Sequence, residues 1–137
     1  MSSKVKLTPI ALVVCDNIYH EPGGKTALVG LFNHIGATNF PVTHPRMAVF
    51  ASVTGLREGS TAKLEIVHGE DETVIVSAQG PIPGHGGPLS VVDMNFILNN
   101  VVFPEPGTYF IRFWGNEHPL LMRPFEVVDR SAGKRAE

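Results

Sequence analysis

Residues Leu98 to Trp114 read Leu-Asn-Asn-Val-Val-Phe-Pro-Glu-Pro-Gly-Thr-Tyr-Phe-Ile-Arg-Phe-Trp: the end of one strand, a rigid corner and the start of another strand. Pro104 and Pro106 hold φ near about −65° and remove two backbone donors, while Gly107 admits a turn that a side chain would obstruct. The chain must reverse here. Beyond the corner, Tyr109, Ile111 and Phe113 alternate with Phe110, Arg112 and Trp114, the period-two pattern of a strand with two unlike faces.

A tyrosine just inside the strand that follows such a corner is a mark of immunoglobulin-like β-sandwiches. Antibody-type domains place a cysteine two residues after that tyrosine, where this chain has Ile111, and Trp114 sits late on this strand instead of on an earlier central one. The expected fold is an all-β, immunoglobulin-like two-sheet antiparallel sandwich of about seven or eight strands with no inter-sheet disulfide.

The remaining punctuation agrees with short strands. Turn clusters at Glu21-Pro22-Gly23-Gly24, Gly55 to Gly59, Gly69 to Glu72 and Gly80 to Pro88 recur too closely for helices. They bound expected strands at 9–19, 26–33, 46–54, 61–68, 73–79, 89–99, 108–115 and 120–128. Met47 to Val53 has few polar residues on either face, as a central strand should, whereas Lys63 to His68 alternates and is half exposed. Between Asn33 and Arg46, Phe40-Pro41 and His44-Pro45 keep the backbone extended, which suits a crossing between sheets. The expected organisation is a short N-terminal tail over 1–7, one domain over 8–129 and a charged C-terminal tail over 130–137, with both tails mobile.

A chain of 137 residues buries enough surface to fold without staples. Net charge of −2, from 11 basic and 13 acidic residues, supplies no basic field for nucleic acid or an anionic membrane, so neither is expected as a partner. Cys15 is the sole cysteine and has no internal disulfide partner, which suits a reducing, cytoplasmic compartment. Lys4 and Lys6 before Ile10 to Cys15 resemble a lipoprotein signal, but the apolar run is short and Val14 occupies a position that processing reserves for small residues. The run reads better as a first strand apolar on both faces.

Chemical motifs are weak. Gly23-Gly24-Lys25-Thr26 ends like a phosphate loop, yet Tyr19 stands where the first glycine belongs and a strand follows in place of a helix. His85-Gly86-Gly87 resembles an esterase oxyanion loop without any Gly-x-Ser-x-Gly elbow. Histidines 20, 34, 44, 68, 85 and 118 lack compact ligand spacing, and nothing orients Asp16, Asp93 or Ser90 into a triad. Asp16 and Asp93 interrupt apolar strands and read as structural hydrogen-bonding groups. No catalytic residue, metal or cofactor is assigned, and the chain is not expected to be an enzyme.

The surface worth following is Phe110, Arg112 and Trp114, since Tyr109, Ile111 and Phe113 fill the core on the opposite parity. Trp, Phe and Arg concentrate at the centres of protein interfaces. The leading expectation is a non-enzymatic protein-interaction or self-assembly module, with the long loop or first strand covering those rings as the plain alternative. A second expectation is a small-ligand or carbohydrate binder in which Trp114 or Tyr19 stacks on a sugar and loops 80–88 and 116–119 close around it. A third is a metal-dependent enzyme using loop histidines. A flat exposed Trp114 favours the first, a concave pocket the second, and three convergent histidines the third.

From Ala11 to Val128 the order of features is Val14-Cys15-Asp16-Asn17, Leu28-Val29-Gly30-Leu31-Phe32, Phe40-Pro41 with His44-Pro45-Arg46, Phe103 to Tyr109, and Arg123-Pro124-Phe125. This arrangement resembles a family of uncharacterised bacterial β-sandwich proteins. The resemblance implies a small cytoplasmic bacterial domain with no established activity, so it carries no catalytic residues over.

Overall fold

Alternating apolar residues bounded by Gly, Pro and Asp turns produce nine strands in the computed structural model, which describes residues 6–83 and 86–131. They are β1 (Thr8–His20), β2 (Thr26–Leu31), β3 (His34–Ala37), β4 (Val42–Thr54) and β5 (Thr61–His68), followed by β6 (Val74–Pro81), β7 (Val92–Phe103), β8 (Gly107–Gly115) and β9 (His118–Asp129). One sheet is antiparallel with order β2-β1-β4-β7, and the other is a curled, mixed sheet with order β3-β9-β8-β5-β6.

Strand parity decides what lies between them. Val14, Met47, Val49 and Val53 from the four-stranded sheet meet Leu64, Ile66, Ile111 and Phe113 from the five-stranded sheet, all essentially inaccessible. At one end Phe103 packs edge-on against Tyr109 with centroids 5.1 Å apart and stacks on Phe125 at 5.7 Å. Each such ring is worth several kcal/mol to the fold, because truncating a buried Phe costs about 3–5 kcal/mol.

Several expectations need correction. Nine strands form instead of seven or eight, and the sandwich is not wholly antiparallel, because β3 runs parallel to β9. β3 lies inside the segment expected to be a link: Ile35 packs against the core while the backbone of His34–Ala37 fills the free edge of β9. Such a short strand is specified by the edge it meets and has little signal of its own. The segment leaves the sheet of β2, enters the sheet of β9, and returns as β4. β7 also starts later than position 89, because Gly87 to Ser90 closes a hydrogen-bonded turn and leaves Leu89 78% exposed. It then continues to Phe103, at the corner itself. The tail assignments fall largely outside the described residues.

The β1–β2 hairpin does not stay flat. β1 pairs with β4 only as far as Cys15, and His20 at its end reaches Asn95 on β7, with Nε2 and Nδ2 3.1 Å apart. Asn95 is level with Val13 in the sheet, so the hairpin tip turns back over the sheet's outer face. Beneath this turn Cys15 and Ala48, paired and facing away from the core cluster, have no solvent exposure. Gly30 with φ of +76°, against Asp16, marks the bend on β2. Burial pushes the Cys15 thiol up from its ordinary value.

Candidate functional site

The corner is closed by one side chain. Tyr109 is buried, its hydroxyl donates to the Glu105 carbonyl at 2.6 Å, and the Glu105 amide donates back to it at 3.3 Å. Pro104 and Pro106 are exposed on the outside of this turn and Gly107 adopts φ of +137°, a conformation that side chains disfavour. Burial raises the phenol pKa, with the nearby Glu105 and Asp71 charges adding to the effect. Against Tyr109 stands His68, also buried, with ring centroids 4.9 Å apart. His68 Nδ1 accepts from the Glu70 amide and lies 3.4 Å from Asp71, while Nε2 has no hydrogen-bond partner and faces Glu105 at 4.0 Å. The Thr73 amide and hydroxyl hold the Asp71 carboxyl below its usual range.

Phe110, Arg112 and Trp114 lie on the opposite parity of β8, on the outer face of the five-stranded sheet, and all three are half-buried. Neither the 33–46 segment nor β1 covers them, since β3 sits on the far edge of the sheet and β1 belongs to the other sheet. Their shielding comes from side neighbours on the same face and from the β5–β6 turn, where Gly69 lies beside the Phe110 ring and Glu72 beside Arg112. Phe110 lies in a row Val74–Val67–Phe110–Pro124 running across four strands. Arg112 lies between Glu65 and Met122, and Trp114 between Lys63 and Pro119. Met122 is 59% exposed and Val74 46%, so the apolar surface continues outward on both sides.

Glu65 organises the charged part of this face. Although 8% exposed, its carboxylate accepts from Trp114 Nε1 at 3.0 Å and lies 3.6 Å from both Lys63 Nζ and Arg112 Nε. Arg112 Nε is buried without a hydrogen bond, because 3.6 Å is too long for one, and the guanidinium reaches Glu72 at 3.5 Å. The Lys63 ammonium lies 4.6 Å from the Trp114 ring centroid and the Arg112 guanidinium 5.8 Å. Partly exposed ion pairs and cation–π contacts of this kind are worth about 0–1 kcal/mol each. They orient the indole more than they stabilise the fold.

Trp114 also walls a cleft of about 550 Å³ at one end of the face. Lys63, Gln79 and Glu117 supply polar groups to it, and Gly80 and Pro81 form its rim beside Thr61. The 80–88 and 116–119 segments thus approach Trp114 through Gly80, Pro81 and Glu117. Tyr19 does not join it, being 54% exposed on the other sheet.

The histidines are dispersed. His20 contacts Asn95, His44 packs on the Phe32 ring, His68 sits behind the corner, and His118 lines a separate cleft. His85 lies outside the described residues. Among the described residues no three His, Cys, Asp or Glu side chains converge as metal ligands. Asp16 and Asp93 are exposed at their strand positions, not buried, and Asp93 accepts from Ser52 Oγ at 2.8 Å.

Sequence reasoning missed Glu65, Val74 and Met122. Their side chains reach the face only through the register of β5, β6 and β9 against β8, and the alternation Lys63-Leu64-Glu65 was the one local signal available.

No curated protein matches the chain. A family model described as a family of unknown function, DUF6941, matches residues 10–128. On that match, which takes in every strand but the outer ends of β1 and β9, the chain belongs to this family of unknown function.

Proposed function

We propose that this chain is a non-enzymatic interaction or assembly module that presents the outer face of its five-stranded sheet to another protein or to a copy of itself. The observation that carries the reading is the position of Phe110, Arg112 and Trp114 on a sheet face that no other described element crosses, extended by the exposed Met122 and Val74. An open apolar face with an aromatic and arginine centre matches the composition of interface cores. The test is Phe110→Glu and Trp114→Ala, with association followed by light scattering and fold by circular dichroism. Weaker association with the fold retained supports the reading. Association unchanged in both variants removes it.

An immunoglobulin-like framework is part of the proposal. Three features support it: the interlocked β4–β7 and β5–β8 pairs, the parallel β3 on β9, and the tyrosine bonded to the corner backbone. A bacterial, cytoplasmic setting is supported by the resemblance in sequence and by a lone buried cysteine with no need of oxidation.

The Trp114 cleft favours a second reading, a small-saccharide site, since a fixed indole beside amide and charged groups suits a hydroxylated ring. Lys63 already lies over that indole, which weighs against it. Trp114 is the sole tryptophan, so its emission during titration with oligosaccharides reads the site directly. A saturable shift supports the reading, and a flat response removes it.

A further inference from the structure

The described residues leave four strands at sheet edges, β2, β7, β3 and β6, and three of them carry features that discourage pairing with another chain. β3 is four residues long. β2 has six residues and is bent at Gly30. β7 is long, but carries Asp93 and is interrupted at Asn100, where φ is +55°. Short length, bends and charge are the common means by which edge strands avoid adding a partner.

Past a bulge at Ile75, where Ile66 pairs with Val76 and Val67 with Val74, β6 has none of them. Its eight residues, Val-Ile-Val-Ser-Ala-Gln-Gly-Pro, include no charged side chain and no residue with positive φ, and the single proline stands last. One side of its backbone pairs with β5 from Val74 to Pro81, and the other side pairs with no described strand. The flank is open as well, because Ala78 and Gly80 of β6 and Met94 and Phe96 of β7 border a groove of about 370 Å³ along the seam between the sheets.

We propose that β6 pairs antiparallel with β6 of a second copy, joining two five-stranded sheets into one of ten strands. The inference rests on the reading of this chain as an assembly module and names where the copies meet. The unpaired amides and carbonyls select a β-strand as the occupant. A second copy fits because a two-fold axis sets β6 against itself without opposing like charges, and every molecule carries the same uncharged edge, regular from Val76 to Pro81. Pairing of this kind also lays two Phe110–Trp114 faces side by side on one surface.

The experiment is light scattering on the full chain across a concentration series, with amide hydrogen exchange at its two ends. The expected result is a reversible rise toward twice the 14.8 kDa chain mass, with β6 amides slower to exchange at high concentration. Ser77→Lys, at an exposed position in mid-strand, should raise the dissociation constant by at least about tenfold. Phe110→Glu separates the two ideas. A dimer lost with Ser77→Lys and kept with Phe110→Glu supports the edge. A dimer kept with Ser77→Lys and lost with Phe110→Glu overturns the edge and leaves the face reading standing. A monomer at every concentration, or β6 amides that exchange equally at both ends, overturns the edge whatever the variants do.

Discussion

The two sheets treat their outer faces differently. On the four-stranded sheet the tip of the β1–β2 hairpin turns back so that His20 meets Asn95, and Cys15 and Ala48 beneath it are inaccessible. On the five-stranded sheet no described strand crosses the face, and Phe110, Arg112 and Trp114 are shielded by their neighbours in the sheet and by the β5–β6 turn, whose Glu72 reaches Arg112. Both faces have apolar residues on the parity opposite the core. Exposure is therefore set by what the chain does elsewhere, since a strand's own alternation says which residues share a side and not whether that side is covered.

The largest expected effect separates core from face within one strand. Phe113→Ala should cost about 3–5 kcal/mol in chemical denaturation, because the ring is fully enclosed and leaves a cavity. Phe110→Ala should cost less, about 1–2 kcal/mol, since its side chain is only partly buried and leaves no enclosed cavity. Equal losses would show that the outer face of β8 is as much core as the inner one.

Next comes Glu65→Ala, which leaves the Trp114 indole N–H and the buried Arg112 Nε without their carboxylate. An orphaned buried donor costs about 1–3 kcal/mol, so denaturation should fall by that amount and Trp114 emission should change with it. Unaltered emission would mean that Glu65 does not hold the ring.

Tyr109→Phe should cost about 0.5–1.5 kcal/mol by removing the hydroxyl bonded to Glu105. The phenol pKa is raised by burial in the folded state, so the unfolded chain loses its proton first as pH rises. The stabilisation is complete below the ordinary phenol value of about 10 and declines as pH climbs from there toward the raised value. Phenylalanine at 109 should flatten that alkaline decline, and a wild-type curve that stays level above pH ~10 would contradict the burial.

The smallest effect sharpens the covered face. His20→Ala removes one exposed contact, and its cost should stay below about 1 kcal/mol. Modification of Cys15 by a thiol reagent should nonetheless quicken, since the hairpin tip is then less firmly held over the face. A rate unchanged from wild type would show that this contact does not hold the tip down.

How far the chain could be read follows the same division. The Pro104–Gly107 reversal and the alternation from Tyr109 to Trp114 were legible because prolines and parity act locally. β3 was not, because four residues with one packed isoleucine take their strand conformation from the edge of β9. Asp16 and Asp93 were read as interruptions of buried strands, yet both positions face solvent on a sheet whose cover depends on a hairpin bend. Of the candidate site, Trp114 and Arg112 were visible as residue types. Glu65, which holds both, needed the pairing of β5 with β8.

By itself the sequence determined an all-β chain, the corner and the two parities of β8, since φ preferences, missing donors and side-chain period act over a few neighbouring residues. Only the tertiary structure decided which strands became neighbours, which outer face was covered and which edge stayed free, because those depend on contacts between residues as far apart as His20 and Asn95, which no local rule couples.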